Sequence, residues 1–219
     1  ARDGTPTQMI AHWVETELLP RADVAVDLHA GGASMNHLPT VLASPPSDPA
    51  KRDAHRTLVD AFGAPTVMIA DLLGEDRTFA AAAERAGKLF LCGEFGGFGT
   101  CDPDGLGLVE DGIDRLMATL GLLPGRAVPA PRAGRLLRVE GERHYVFADR
   151  PGLFEPAFRL GDEVVEGRLA GRIHDPHAPW RPAEDLHFRG SGVVVCVRSF
   201  AHVVPGDCVA QLAADTAWT

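Results

Sequence analysis

Lysine is nearly absent from this chain. Of its 21 cationic residues only Lys51 and Lys88 are lysines, and arginine supplies the remainder. Acidic residues are in excess, giving a formal net charge of -9 and a pI of about 5.4. Binding to nucleic acid or to an anionic membrane surface depends on clustered cationic side chains. We therefore expect neither as a partner.

Cysteines and long apolar runs are also scarce. The four cysteines show no C-x-x-C spacing, which favours reduced, mostly buried thiols over a metal knuckle or a redox motif. No apolar run approaches the roughly 20 residues that span a bilayer. The polar first residues do not have the pattern of a signal peptide. A cytoplasmic location is the default expectation.

Helical and extended patterns alternate over the first 121 residues. Apolar spacing and capping residues predict four helices, and short apolar runs that end at glycines predict four strands. The predicted helices cover residues 6–19, 48–62, 76–86 and 105–121, and the predicted strands cover 22–30, 37–44, 65–70 and 88–97. This alternation indicates a layered α/β domain with a mainly parallel sheet.

The pattern changes after the last of these helices. A stretch rich in Pro, Gly and Ala leads into short apolar runs separated by turn dipeptides, without a convincing helix. We predict an α/β domain at 1–124, a linker at 125–134, and a small all-β barrel or sandwich at 135–219. Residues 159–173 and 203–213 are weakly similar, each with a Gly-Asp turn between apolar runs, which suggests repeated hairpins.

The first candidate site is the sequence Asp-Leu-His-Ala-Gly-Gly at the end of a predicted buried strand. Ligands of open α/β sheets bind at the carboxyl ends of strands. Asp27 and His29 are two residues apart, so their side chains project to the same face and the carboxylate can orient the imidazole. The motif predicts a metal ligand, although a hydrogen-bonded pair without metal is an alternative.

The second candidate is Glu94, in the sequence Cys-Gly-Glu-Phe-Gly-Gly at the end of another apolar strand. A carboxylate at this edge could move a proton between water and a leaving nitrogen in a metal hydrolase. The alternative is a solvated side chain at a strand terminus.

Other residues are weaker candidates. His37 follows the Gly-Gly turn closely and could line the pocket, and Arg77 is a possible clamp for a substrate carboxylate. His174, His177 and His187 could be a second metal cluster, but their segment reads as a loop of undefined geometry. Phe95 and Phe98 flank the Gly-rich turn, where core or lid packing is the simpler interpretation.

The order of these elements, with D-L-H-x-G-G and G-K-x-F-x-x-x-E-x-G-G, resembles the succinylglutamate desuccinylase/aspartoacylase family along nearly the whole chain. It is most similar to the bacterial branch that includes N-acetyl-diaminobutyrate deacetylases. The resemblance implies a zinc-carboxypeptidase-like α/β/α domain, present in part, and a zinc-dependent hydrolase that removes an N-acyl group from a small amino-acid-like substrate. His29 then matches a Zn²⁺ ligand, Asp27 its orienting partner, and Glu94 the catalytic carboxylate. Homo-oligomers are common in such families.

The resemblance also implies two further zinc ligands, a His and a Glu from an upstream H-x-x-E motif. No such motif follows a predicted strand here. A catalytic zinc site needs three protein ligands. We therefore expect the upstream part to be absent from this chain, and the chain alone to bind zinc weakly and to be inactive.

Two alternatives to an enzyme remain to be considered. The Gly-Asp hairpins resemble those of biotinyl and lipoyl carrier domains, but no lysine follows Lys88, so this β domain has no residue to modify. A catalytically silent family member or fragment that acts as a binding or regulatory module stays open.

Overall fold

The structure, a computed structural model, describes residues 3–69 and 76–218. Its helices are α1 (Pro6–Trp13), α2 (Arg52–Phe62), α3 (Phe79–Arg85) and α4 (Pro103–Thr119). The strands of the first half are β1 (Val24–His29), β2 (Met35–Ala43), β3 (Thr66–Ile69) and β4 (Leu89–Gly97). Every predicted element of this half is present. The last residue of the predicted strand at 65–70 lies outside the described residues.

The second half contains strands and one short 3₁₀ turn at Glu142–His144. Its strands are β5 (Arg135–Arg138), β6 (Tyr145–Phe147), β7 (Gly152–Pro156), β8 (Glu163–Val164), β9 (Leu169–His174), β10 (Glu184–His187), β11 (Gly192–Arg198), β12 (His202–Val203) and β13 (Cys208–Asp215). Within the described residues after 134 there is no α-helix, as the sequence predicts.

The first helix is shorter than its apolar pattern indicates. After α1 the chain continues through a π-helical turn at Val14–Leu18 and a 3₁₀ turn at Leu19–Arg21. Pro20 lacks the N–H that would continue the α-helical hydrogen bonds, so the helix changes its winding before it ends.

The main sheet is mixed, and the prediction of a mainly parallel sheet was wrong. Along the path β1-β4-β2-β3-β5-β13-β11-β8, the pairs β1–β4, β2–β3 and β3–β5 are parallel and the others are antiparallel. Only residues 30–34 connect β1 to β2. A parallel connection needs a dozen or more residues, so the chain reverses there and β2 runs antiparallel to β4.

The sheet also closes on itself like a barrel. One end of β2 pairs with β3 and the other end pairs with β11, through Cys196 opposite His37. Together with β3–β5, β5–β13 and β13–β11, this pairing completes a ring of five strands. Strands from both predicted domains therefore share backbone hydrogen bonds in one sheet, while the domain division itself stays a prediction.

Helices cover both faces of the first four strands. The helices α2 and α4 pack on one face, around Phe62, Leu91, Phe95 and Leu116. On the other face, α3 packs its Ala83 with Ala25 of β1 and Leu19. A mixed α/β fold is thus confirmed, whereas a carboxypeptidase-like layering stays a prediction.

A second sheet, in the order β10-β9-β7-β12, packs in the C-terminal half. The two similar segments there have the same turn. At one, Asp162 accepts the amide of Arg159 with its side chain and donates its own N–H to the same residue's carbonyl; Asp207 does the same with Val204. Across the described ranges, no helix has the length and apolar character needed to cross a membrane.

Candidate functional site

The strands β1 and β4 bring the two main candidate residues side by side. In this parallel pair, His29 lies opposite Glu94 and Asp27 opposite Cys92. Paired residues of neighbouring strands project to the same face of a sheet. The register therefore places an imidazole, two carboxylates and a thiol on one face, at the carboxyl ends of both strands.

The glycine-rich turns after β1 and β4 hold this register. The amide of Gly31 donates to the Gly96 carbonyl at 3.1 Å, and the amide of Gly99 donates to the Gly32 carbonyl at 2.7 Å. A Cβ at Gly31 or Gly97 would lie 2.4 or 2.0 Å from the carbonyl oxygen of Met35. Glycine is required at both positions, because a side chain would push the start of β2 away from the site.

Asp27 contacts His29 as the sequence predicts. The Nε2 of His29 lies 3.0 Å from Oδ2 of Asp27, and the imidazole remains 48% exposed. An imidazole that donates Nε2–H to a carboxylate keeps its lone pair on Nδ1. The pair therefore presents one oriented nitrogen ligand at the open end of β1.

Glu94 is half-buried, and its Oε2 has no hydrogen-bond partner in the described structure. Burial raises the pKa of its carboxyl group; the nearby charge of Asp27 raises it further, and His29 opposes the shift. A buried carboxylate without a partner is unfavourable unless it binds a proton or a cation. Glu94 is thus suited to accept a proton from a group bound beside His29.

The surroundings of Glu94 were not apparent from the motifs. Thr40 of β2 lies opposite Glu94 and is only 2% exposed. Burial raises the pKa values of the Cys92 and Cys196 thiols to about 12, with the Glu94 charge contributing to both, so neither thiol is a nucleophile near neutral pH. The two-residue spacing from Cys92 to Glu94 was the available sequence clue, since it puts them on one strand face.

His37 is brought next to the site, and Arg77 is not placed there by any described contact. The His37 ring approaches Gly31, and its Nε2 lies 3.6 Å from Sγ of Cys196. Burial lowers the pKa of His37, which keeps the ring neutral near pH 7. Arg77 is exposed ahead of α3. Its role as a clamp and the roles of His29, Asp27, Glu94 and His37 stay predictions.

The aromatic residues beside Glu94 have different surroundings. Phe95 is buried in the core with α2 and α4. Phe98 is 46% exposed and has a φ of 59°, the one positive φ among the non-glycine residues that are described. The backbone strain at Phe98 is compatible with the hydrogen bond that its amide donates to Met35.

An H-x-x-E spacing does occur once, at His12–Glu15, although not after a strand. His12 lies in α1, and Glu15 lies in the following turn, where its carboxylate pairs with Arg85 at 3.1 Å. Within residues 3–69 and 76–218, no three His, Cys, Asp or Glu side chains are grouped to hold a metal ion. The described chain therefore offers one ligand, His29, and not a complete metal site.

The three histidines of the C-terminal half do not form a cluster. His187 ends β10 opposite Leu169 at the start of β9, whereas His174 ends β9. The Nε2 of His174 instead contacts Glu155 at 2.7 Å. The loop interpretation of this segment is consistent with that separation.

The comparisons with known proteins agree on one family. The model of the succinylglutamate desuccinylase/aspartoacylase catalytic domain matches residues 1–120, which include both candidate strands. The N-alpha-acetyl-L-2,4-diaminobutyric acid deacetylase of Halomonas elongata is 31% identical over 211 residues, which are 96% of this chain and 62% of that protein.

Solved structures show the same relationship. A succinylglutamate desuccinylase/aspartoacylase from Rhodobacter sphaeroides matches with a TM-score of 0.88 at 32% identity, covering 99% of this chain and 66% of that one. The product-bound ectoine utilization protein EutE (DoeB) from Ruegeria pomeroyi matches with a TM-score of 0.88 at 28% identity, covering 98% and 65%. The chain thus spans somewhat under two thirds of these relatives' length. It belongs to the succinylglutamate desuccinylase/aspartoacylase family.

Proposed function

We propose that this chain is part of a zinc-dependent hydrolase that removes an N-acyl group from a small amino-acid-like substrate. The observation that carries the proposal is the pairing of His29 with Glu94 at the carboxyl ends of β1 and β4. The curated relative is named as a deacetylase of an acylated diamino acid, which supports the same reaction class.

The residues present fit one position of a zinc site. Imidazole nitrogen and carboxylate oxygen are the usual protein ligands of catalytic zinc, and three of them are needed. His29 is oriented by Asp27, as metal-binding histidines commonly are. The other ligands belong, in this proposal, to the portion of the relatives that this chain does not span. When bound, zinc supplies Lewis acidity that polarises the amide carbonyl and makes water more acidic.

The chain's own residues then move protons and position groups. Glu94, with its raised pKa, accepts a proton from the attacking water at its carboxylate and donates that proton to the leaving nitrogen. Asp27 keeps the imidazole of His29 in one orientation. The buried side of β4 excludes water from the far side of Glu94, so its proton passes to the substrate.

A binding or regulatory module is the second candidate. The observation that favours it is that no three-ligand group occurs in the described part of the chain. The two functions differ in one measurable property, because a binding module needs neither zinc nor Glu94.

The test uses protein that extends over the full length of its relatives. Its zinc content is measured by atomic absorption, and its activity is assayed against a panel of N-acetylated diamino acids, with Glu94→Gln as the matched variant. We expect one zinc per chain and hydrolysis that the variant loses. Absence of zinc, or hydrolysis that the Glu94→Gln variant retains, would contradict the proposal.

A further inference from the structure

A cavity of about 240 Å³ lies beside the candidate site, at the junction of the two halves of the chain. Its walls come from β2, β6, β11 and β13. The residues that line it are Met35, His37, Tyr145, Phe147, Cys196, Val197, Arg198, Cys208, Ala210 and Gln211.

The cavity opens on the face of the sheet that carries Glu94. Cys196 lies opposite His37, and His37 lies opposite Gly96, which is two residues beyond Glu94 on the same strand. Paired residues share a face, and so do residues two apart on a strand. With neighbouring strands about 4.8 Å apart, the step from β4 across β2 to β11 is about 10 Å. A small substrate held at Glu94 can reach the cavity.

The polar groups around this cavity are already paired with one another. The amide of Gln211 donates to the Tyr145 hydroxyl at 3.0 Å, and Arg198 pairs with Asp207 at 2.9 Å. The Cys208 thiol contacts the Ala210 carbonyl oxygen at 3.3 Å. The walls therefore present methyl, methylene, thiol and aromatic surface and lack an unpaired charge.

An uncharged pocket selects the uncharged part of a substrate. In an N-acylated amino acid, the amino-acid part carries the carboxylate, while a monocarboxylic acyl chain carries no charge. Burying a second carboxylate without a partner is strongly unfavourable. We infer that this cavity binds the acyl chain of the substrate, and that it selects short monocarboxylic acyl groups against dicarboxylic ones such as succinyl.

This inference rests on the proposed function, and it assigns the β-rich half a task. Tyr145, Phe147 and Cys208 follow the predicted linker, so the acyl group is selected by residues outside the part that the family model matches. Phe147 is the residue to change, because it is 44% exposed and stacks on Tyr145 at the cavity wall.

The first experiment measures kcat/KM of the zinc-loaded full-length protein on one diamino acid bearing acetyl, butanoyl, hexanoyl or succinyl groups. We expect succinyl to be at least about 100-fold poorer than butanoyl. Phe147→Ala, which widens the cavity, should raise the hexanoyl-to-acetyl ratio about tenfold. Phe147→Arg, which adds a cation, should raise the succinyl-to-butanoyl ratio. Phe200→Ala is the matched control, because this exposed phenylalanine (52%) lines a different cavity; its ratios should equal those of the wild type.

The second experiment does not require turnover. The ¹³C-labelled methyl group of Met35 is followed by NMR during titration with sodium butanoate or sodium succinate, in the wild type and in Phe147→Arg. We expect butanoate alone to shift the signal in the wild type, and succinate to shift it in the variant. If butanoate shifts Met35 but no substrate is hydrolysed, the hydrolase proposal fails and the cavity assignment stands. If hydrolysis occurs but neither the acyl ratios nor the Met35 signal responds to Phe147, the cavity assignment is overturned.

Discussion

The carboxylate of Asp27 has one described contact that matters for the site, its hydrogen bond to His29. Removing such an orienting partner commonly lowers metal affinity by 10–100-fold. We therefore expect Asp27→Asn to weaken zinc binding by roughly 10–100-fold, because the amide no longer attracts the Nε2 proton as strongly. A competitive chelator titration of the full-length protein measures this change.

The matched control for this change is Asp23→Asn. Asp23 is exposed just ahead of β1 and makes no described side-chain contact with His29. Its substitution removes the same charge from the same strand region. Equal zinc affinity in the two variants would contradict an orienting role for Asp27.

Glu94 gives a prediction about rate. Loss of a general base costs typically 10²–10⁴-fold in rate. We expect Glu94→Gln to lower kcat by about that factor. In the wild type the rate should increase as the pH rises through the raised pKa of Glu94, since only the deprotonated carboxylate accepts a proton. A pH–rate profile of both proteins checks the result; an unchanged profile in the variant would show that another group is the base.

Glu94 also gives a prediction about stability. Because its pKa is raised in the folded protein, the folded state holds the proton more tightly, and the associated stability is lost as pH rises through the folded pKa. Glu94→Gln should therefore match the wild type in urea unfolding at pH 4 and exceed it at pH 7. The exposed Glu166→Gln variant serves as the control and should show no such divergence. A lower stability of Glu94→Gln at pH 7 would contradict the burial argument.

At the scale of elements, α4 packs on α2 through a glycine. A Cβ at Gly112 would lie 2.6 Å from the ring of Phe62, which is fully buried. Arg115 strengthens the same contact by donating to the Phe62 carbonyl at 2.6 Å, at the carboxyl end of α2. The close approach of the two helices therefore depends on the absence of a side chain at position 112.

Two alanine substitutions in α4 test this contact. Gly112→Ala should destabilise the fold by about 1–3 kcal/mol through overpacking. Gly107→Ala, in the same helix, has nothing within 4 Å of its added Cβ and should stabilise by about 0.5–1 kcal/mol. Chemical denaturation of both variants gives the difference. A stabilising Gly112→Ala would mean that α2 and α4 are not in close contact.

The repeated Gly-Asp turns show how much local sequence can determine within an element. Gly161 and Gly206 both have a positive φ, near 90°, and each following Asp accepts an amide three residues earlier. Glycine adopts this conformation without strain, and a short acidic side chain closes the turn. The weak similarity of two sequence segments was sufficient to predict this shared geometry.

At the scale of the molecule, the continuous sheet couples the two halves of the chain. Leu137 of β5 is fully buried where β5 joins β3 to β13, and it packs with Val193 and Val195 of β11. Trp218, near the other end of the sequence, packs on the core formed by α2 and α4. Contacts of this kind favour unfolding in a single transition.

Leu137→Ala tests that coupling. The substitution should cost about 2–5 kcal/mol, the usual range for a fully buried leucine. Amide hydrogen exchange should then accelerate equally at Val41 in the first half and Val194 in the second. Leu153→Ala, at an exposed position of β7, is the control and should have a much smaller effect. Faster exchange confined to residues after 135 would instead indicate two independent domains.

The sequence alone determined the elements and the residues of the candidate site. Apolar spacing, capping residues and glycines located all four helices and the first four strands, because these signals act over a few residues. The spacing of Asp27 and His29 predicted their contact, since alternation along a strand is a local property. The family followed from two motifs, and the comparisons confirmed it.

Only the tertiary structure decided how distant segments meet. The direction of β2, the closure of the ring through β11, and the placement of Cys196 beside His37 all depend on strand pairings between residues far apart in sequence. No local pattern encodes such a pairing, because it is selected by the packing of the whole sheet. The burial that raises the pKa of Glu94, and the apolar cavity beside it, arise from those same pairings.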